Sequence, residues 1–108
     1  MPSLELHRLA IETRPERSRV VLVVSGELDV ASVGDVQSAL EELRGSGWED
    51  IVLDLRDVSF IDSTGLTLLM AADDRARQEA WRLSVFAGRE PLERLLSVTC
   101  LSSPLRRA

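Results

Sequence analysis

The 108-residue sequence predicts an α/β fold: a mixed sheet with helices packed on it. Two observations carry this. Short apolar runs of strand length alternate with stretches whose apolar residues recur at helical spacing, the pattern of strands joined through helices. The first two strand candidates are separated by only a polar turn, close enough for a hairpin. The later ones, divided by helices, pair in parallel through right-handed crossovers.

Residues 4–13 read as the first strand. Leu4 and Leu6 alternate, but Leu9-Ala10-Ile11 breaks the phase, predicting a bulge or register shift near His7 and Arg8. Arg14-Pro15-Glu16-Arg17-Ser18-Arg19 is a polar turn. Residues 20–25 are apolar until their end, which predicts a central strand covered on both faces. Gly26-Glu27-Leu28-Asp29 closes that strand and leads to a helix that Ser32 can cap, with Asp35 three residues on in a capping-box-like spacing. Val33, Val36, Leu40 and Leu43 form its apolar stripe. Gly45-Ser46-Gly47 ends it, and Trp48 is a packing residue at the loop edge.

Residues 51–55 form the next strand, followed by a loop and a helix over about 64–79. Leu68, Leu69, Ala72, Ala76 and Ala80 define the buried side of that helix, and residues 73–79 read otherwise as solvated. Its first half, residues 66–72, is apolar nearly all round and includes a candidate exposed patch beside Ser63. Residues 82–87 make a further strand, Gly88-Arg89-Glu90-Pro91 a turn, and Leu92, Leu95 and Leu96 a short amphipathic helix. The chain reads as one domain over 1–108, with a loose tail at 101–108.

Composition removes several function classes. Net charge is −5, and all 13 basic residues are Arg. An acidic chain without a basic run is a poor nucleic-acid binder, and it suits a protein partner with a basic face. No apolar run approaches membrane-spanning length, and no secretory leader is read at the N-terminus. One His and one Cys cannot build a zinc site. A lone Cys100 fits a reducing cytosol. The one histidine, His7, lies in the first strand with nothing to bring it to Ser63, and neither a Gly-rich phosphate cradle nor a Walker lysine occurs. We therefore expect no catalysis, cofactor or metal, and a cytoplasmic location.

The informative stretch is Val58-Ser59-Phe60-Ile61-Asp62-Ser63-Thr64-Gly65-Leu66. Asp62 and Ser63 stand where a loop becomes a helix, and both are strong N-cap types. The first-turn N–H groups and the helix dipole make that point electropositive, so a phosphate on Ser63 could be held there. Asp-Ser-Thr-Gly also describes an ordinary helix cap. Large apolar residues on either side, Phe60 and Ile61, then Leu66, Leu68 and Leu69, frame it as a polar tip on a rigid support.

This stretch resembles the phosphorylation-site segment of STAS-domain anti-sigma-factor antagonists. Ser25-Gly26-Glu27-Leu28-Asp29 resembles the turn after the second strand in that family, and the likeness runs to about Thr99. The resemblance implies a mixed central sheet of four to five strands with helices mainly on one side. It also implies an unphosphorylated form that binds an anti-sigma factor, itself a serine kinase, and so frees a sigma factor. The kinase would phosphorylate Ser63 from ATP, and a serine phosphatase would reset it.

Asp62, Thr64 and Gly65 would frame the site, with Asp29 as an acidic neighbour that reads equally as a turn residue. Ser32 and Ser59 could touch the partner, though cap and turn roles suit them better. Thr64 stands where many relatives carry a second serine and is a competing acceptor. Residues 77–81 lack the glycine-containing turn often seen in the family. An alternative is a scaffold or transport-complex STAS subunit that binds its partner without a phosphorylation cycle. A small nucleotide-binding or hydrolysing protein is a third reading.

Overall fold

Among the described residues, six elements follow one another: β1 (Ala10–Pro15), β2 (Val20–Leu28), α1 (Val33–Gly45), β3 (Asp50–Ile61), α2 (Ser63–Glu79) and β4 (Arg82–Phe86). The computed structural model describes residues 9–87. The early part of the expected first strand with its bulge at His7 and Arg8, the turn and helix expected after residue 87, Cys100 and the 101–108 tail lie outside the described residues.

Sheet order is β1-β2-β3-β4. β1 and β2 form the expected antiparallel hairpin, while β2–β3 and β3–β4 are parallel. The hairpin turn is tighter than the sequence predicts, because Arg14 and Pro15 still pair with Val21 and Val20. Only residues 16–19 turn, closed by the Glu16 N–H donating to the Arg19 carbonyl at 2.8 Å.

Both helices lie on one face of the sheet. Val36 and Leu40 of α1 and Leu69, Ala72 and Ala76 of α2 join one apolar cluster with Leu22, Leu53 and Val85. Period-two alternation turns every second strand residue to this face, and period 3.6 turns one stripe of each helix toward it. Among the described residues, α2 buries Gly65, Leu69, Ala72, Asp73 and Ala76. Three expectations need correction. Leu68 is half-buried, Ala80 is exposed, and Asp73, expected in the solvated half, is only 6% exposed. Asp73 shares the Leu69–Ala76 stripe, and its carboxylate accepts from Arg77 Nε at 2.8 Å, so the buried charge is paired. Ala80 caps α2 in the left-handed region at φ 62, a role usually given to glycine.

β3 outruns the expected 51–55 strand and continues to Ile61. It does so by two irregularities against β2. Val23 pairs with Asp54 and Ser25 with Asp57, so Leu55 and Arg56 face Val24 alone; Ser59 is a second extra residue, between the Gly26–Val58 and Glu27–Phe60 pairs. Gly26, beside the second bulge, takes φ 103, which a side chain would resist. The two strands thus run on as a bulged ribbon.

On the face away from the helices, Asp54 is buried in line with Phe86. Arg56 grips it with Nε to Oδ1 at 2.9 Å, Nη2 to Oδ2 at 2.8 Å and the backbone N–H to Oδ1 at 3.1 Å. The guanidinium also lies 4.4 Å from the Phe86 ring centre. These bonds from Arg56 outweigh burial and hold the Asp54 carboxyl below the usual aspartate range. The folded form therefore binds a proton less readily than the unfolded chain. The stabilisation is complete above about pH 4 and is lost as pH falls through the lowered folded value. Urea unfolding along an acid series should show Asp54→Asn with a flatter acid limb than the native sequence.

Candidate functional site

β2 and β3 end together, and the end is locked by backbone. Leu28 pairs with Ile61, and the Asp62 N–H donates to the Leu28 carbonyl at 3.3 Å. Asp29 and Asp62, each one residue past that pair, are brought to the same end of the sheet. The chain then passes from strand to helix through Asp62 alone, rather than through the expected loop.

Asp62 is the N-cap of α2, in extended conformation. Its Oδ1 accepts the Thr64 N–H at 2.9 Å and the Gly65 N–H at 3.1 Å. Two of the three first-turn donors are therefore already used, which changes the expected phosphate cradle. A phosphate on Ser63 would meet an occupied cap and a neighbouring carboxylate, with the Ser63 N–H the one first-turn donor that Asp62 does not take.

Ser63 is the first residue of the helix and is exposed. Its carbonyl accepts the Thr67 hydroxyl at 2.8 Å, which stiffens the first turn. Thr64 is half-buried and lines a groove of about 410 Å³ between α1 and α2, with Val33, Leu40, Thr67, Leu68 and Trp81 among its walls. The two candidate acceptors thus differ in access: Ser63 is open, and Thr64 borders the helix–helix groove.

Gly65 is buried, and its role was not legible beforehand. A Cβ there would stand 2.7 Å from Ile61 Cγ1, 2.8 Å from the Leu28 carbonyl oxygen and 3.1 Å from Leu28 Cγ. The helix touches the end of β2 at this point and no side chain fits between. One signal did exist: glycine is a costly choice inside a helix.

Asp29 serves its own turn, with Oδ1 accepting from Ala31 N–H at 3.0 Å. Ser32 is the N-cap of α1 by position, but its side chain makes no cap bond. Its hydroxyl turns back instead, donating to the Glu27 carbonyl at 2.7 Å and accepting the Asp29 N–H at 3.0 Å. The expected capping box is replaced by a brace on the turn. Ser32 is buried, whereas Ser59 is exposed and donates to the Gly26 carbonyl at 3.2 Å across the bulge. Among the described residues there is no cluster of three or more His, Cys, Asp or Glu that could hold a metal, and no helix long and apolar enough to cross a membrane.

Comparison with known proteins agrees with this architecture. The family model "Mlab, STAS domain" matches residues 11–106. An anti-sigma-B factor antagonist of Staphylococcus aureus is 33% identical over 93 residues, 86% of each chain. Among solved structures, the anti-sigma factor antagonist SpoIIAA in its unphosphorylated form superposes with a TM-score of 0.69 at 23% identity, covering 92% of this chain and 89% of that one. The NMR structure of the protein TM1081 gives 0.78 at 22% identity, over 92% and 80%. A crystal structure of Mglu matches 74% of this chain but only 20% of its own length, with a TM-score of 0.64 and 29% identity. With a family model spanning nearly all of β1 to β4 and beyond, and a relative alike over most of both lengths, the chain belongs to the STAS-domain family, which includes anti-sigma-factor antagonists.

Proposed function

We propose that this protein is an anti-sigma-factor antagonist: a regulatory binding protein, not an enzyme, whose unphosphorylated form binds an anti-sigma factor with serine-kinase activity. Ser63 is the phosphoacceptor, framed by Asp62, Thr64, Gly65 and Asp29. The observation that supports this most directly is an exposed hydroxyl at the first residue of α2, held on a tip that Asp62 and Gly65 fix to the end of β2. The relatives' names support the class of partner.

The chemistry asks little of this chain. The Ser63 hydroxyl oxygen attacks the γ-phosphorus of ATP, the bond to the β-phosphate oxygen breaks, and ADP leaves. The hydroxyl proton passes to a base on the kinase. To present ATP in line, the kinase must place nucleotide phosphates opposite Ser63. After transfer, the phosphoseryl group carries about −1.5 to −2 charges. While ADP is still bound, it faces the two ADP phosphates on one side and Asp62 on the other, and its bulk no longer fits the surface shaped to a hydroxyl. Local repulsion and exclusion release the partner without any refolding.

The test is phosphorylation by the cognate anti-sigma kinase with labelled ATP. Ser63→Ala should abolish the label, and Thr64→Val should retain it. Label that survives Ser63→Ala and disappears with Thr64→Val would reassign the acceptor. A partner that binds the Ser63→Asp form unchanged, and co-purifies with membrane transporter components, would favour the scaffold alternative.

A further inference from the structure

Among the described residues, three large apolar side chains are exposed: Val30 at 75%, Phe60 at 51% and Met70 at 43%. Two of them, Val30 in the turn after β2 and Phe60 near the end of β3, lie by the end of the sheet from which α2 starts. Phe60 pairs with Glu27, one rung before the Leu28–Ile61 pair. Val30 lies two residues beyond Leu28, whose carbonyl takes the Asp62 N–H. Neither joins the apolar core. Ile61, next to Phe60, packs against the core, and so does Val33 at the start of α1. A single exposed apolar residue is ordinary. Two, set on separate segments near the end of the sheet where β3 passes into α2, make a contact surface beside that junction.

Charge at the same place defines what can cover it. Residues 28–30 and 56–64 hold Asp29, Asp57 and Asp62 against Arg56 alone, and Arg56 is taken by Asp54. An anionic lipid surface would repel such a tip, and two copies of it would repel each other. The complementary occupant is a protein with a basic surround.

We infer that Val30 and Phe60 are paired apolar anchors, by which the tip docks into two apolar sockets set in a basic rim on its protein partner. This rests on the reading of Ser63 as the regulated hydroxyl and adds what grips the partner when that hydroxyl is bare. The anchors supply most of the affinity, as buried apolar side chains at the middle of an interface do. The carboxylates orient the encounter and raise its rate. A phosphoryl group at Ser63 then acts beside a grip that is otherwise intact.

Titration calorimetry tests this with the full chain and the nucleotide-bound anti-sigma kinase used in the phosphorylation assay. Val30→Ser and Phe60→Ser should each weaken binding by about tenfold or more. The Val30→Ser midpoint should be unchanged, since that side chain is exposed in a turn, and Phe60→Ser is compared at a temperature where it is fully folded. Met70→Ser, two helical turns beyond Ser63, should stay within about threefold. Affinity of the native sequence should fall as salt is raised. Val30→Ser and Phe60→Ser binding as the native sequence does, while Ser63→Asp does not bind, would remove the anchors and leave the Ser63 reading standing. Normal binding by Ser63→Asp would remove that reading instead. Affinity that rises with salt would remove the basic rim.

Discussion

Ser63→Asp is expected to weaken binding of the anti-sigma kinase by roughly a hundredfold or more, about 3 kcal/mol, while leaving the isolated chain as stable as before. The two halves of this expectation have separate causes. In the isolated chain, Ser63 is exposed at the first position of α2, and its carboxylate replacement would meet water and the positive end of the helix dipole. Nothing in the core moves. In the proposed complex, the same carboxylate would be desolvated beside Asp62 and opposite nucleotide phosphates, where like charges cost several kcal/mol. Ser63→Ala is the complement: it keeps the shape, adds no charge, and should bind within a few-fold of the native sequence while resisting phosphorylation. Calorimetry of both variants, with thermal melts of each alone, separates the effects. A parallel loss of thermal stability in Ser63→Asp would mean that the tip itself had been disturbed, and the charge argument would fail.

The sheet and both helices were legible because each rests on a strong period. The apolar run at residues 20–24, the Val33–Val36–Leu40 stripe and the residues 51–55 run all lie where the sequence places them. What was not legible depends on contacts distant in sequence. β3 continues to Ile61 because β2 supplies a partner strand and two bulges absorb the mismatch, whereas the local sequence after Leu55 loses its apolar run and reads as a loop. Ser32 has the composition of a cap, yet its hydroxyl is claimed by the Glu27 carbonyl and the Asp29 N–H. That competition between backbone groups is invisible without the turn's geometry. Asp73 looks solvated by type and is buried by phase. At the site, the motif located Ser63 and Asp62, but not the way Asp62 takes two of the first-turn donors. Val30 carried no signal at all, since nothing local marks an apolar loop residue as unburied.

Gly65→Ala provides the sharpest structural test of how the site is held. Alanine normally improves a helix over glycine by up to about 1 kcal/mol. Here the sign should reverse, with a loss of about 2 kcal/mol in unfolding free energy and roughly 10 °C in Tm. The new Cβ would stand 2.7 Å from Ile61 Cγ1 and 2.8 Å from the Leu28 carbonyl oxygen. Ile61 can rotate away at modest cost. The Leu28 oxygen is backbone, held by the Asp62 N–H, and can yield only if the start of α2 lifts off the end of β2. That movement would carry Ser63 with it, so the kinase should phosphorylate the variant more slowly even at temperatures where it remains folded. Gly34→Ala is the internal contrast. Gly34 also lies in the first turn of a helix, α1, but a Cβ there meets nothing within 4 Å. It should leave stability unchanged or raise it by up to about 1 kcal/mol. Denaturant titrations of the pair should therefore move in opposite directions. If both variants gained stability, the close seating of α2 on β2 would be disproved, and with it the reason the Ser63 hydroxyl is held at a fixed place on the tip.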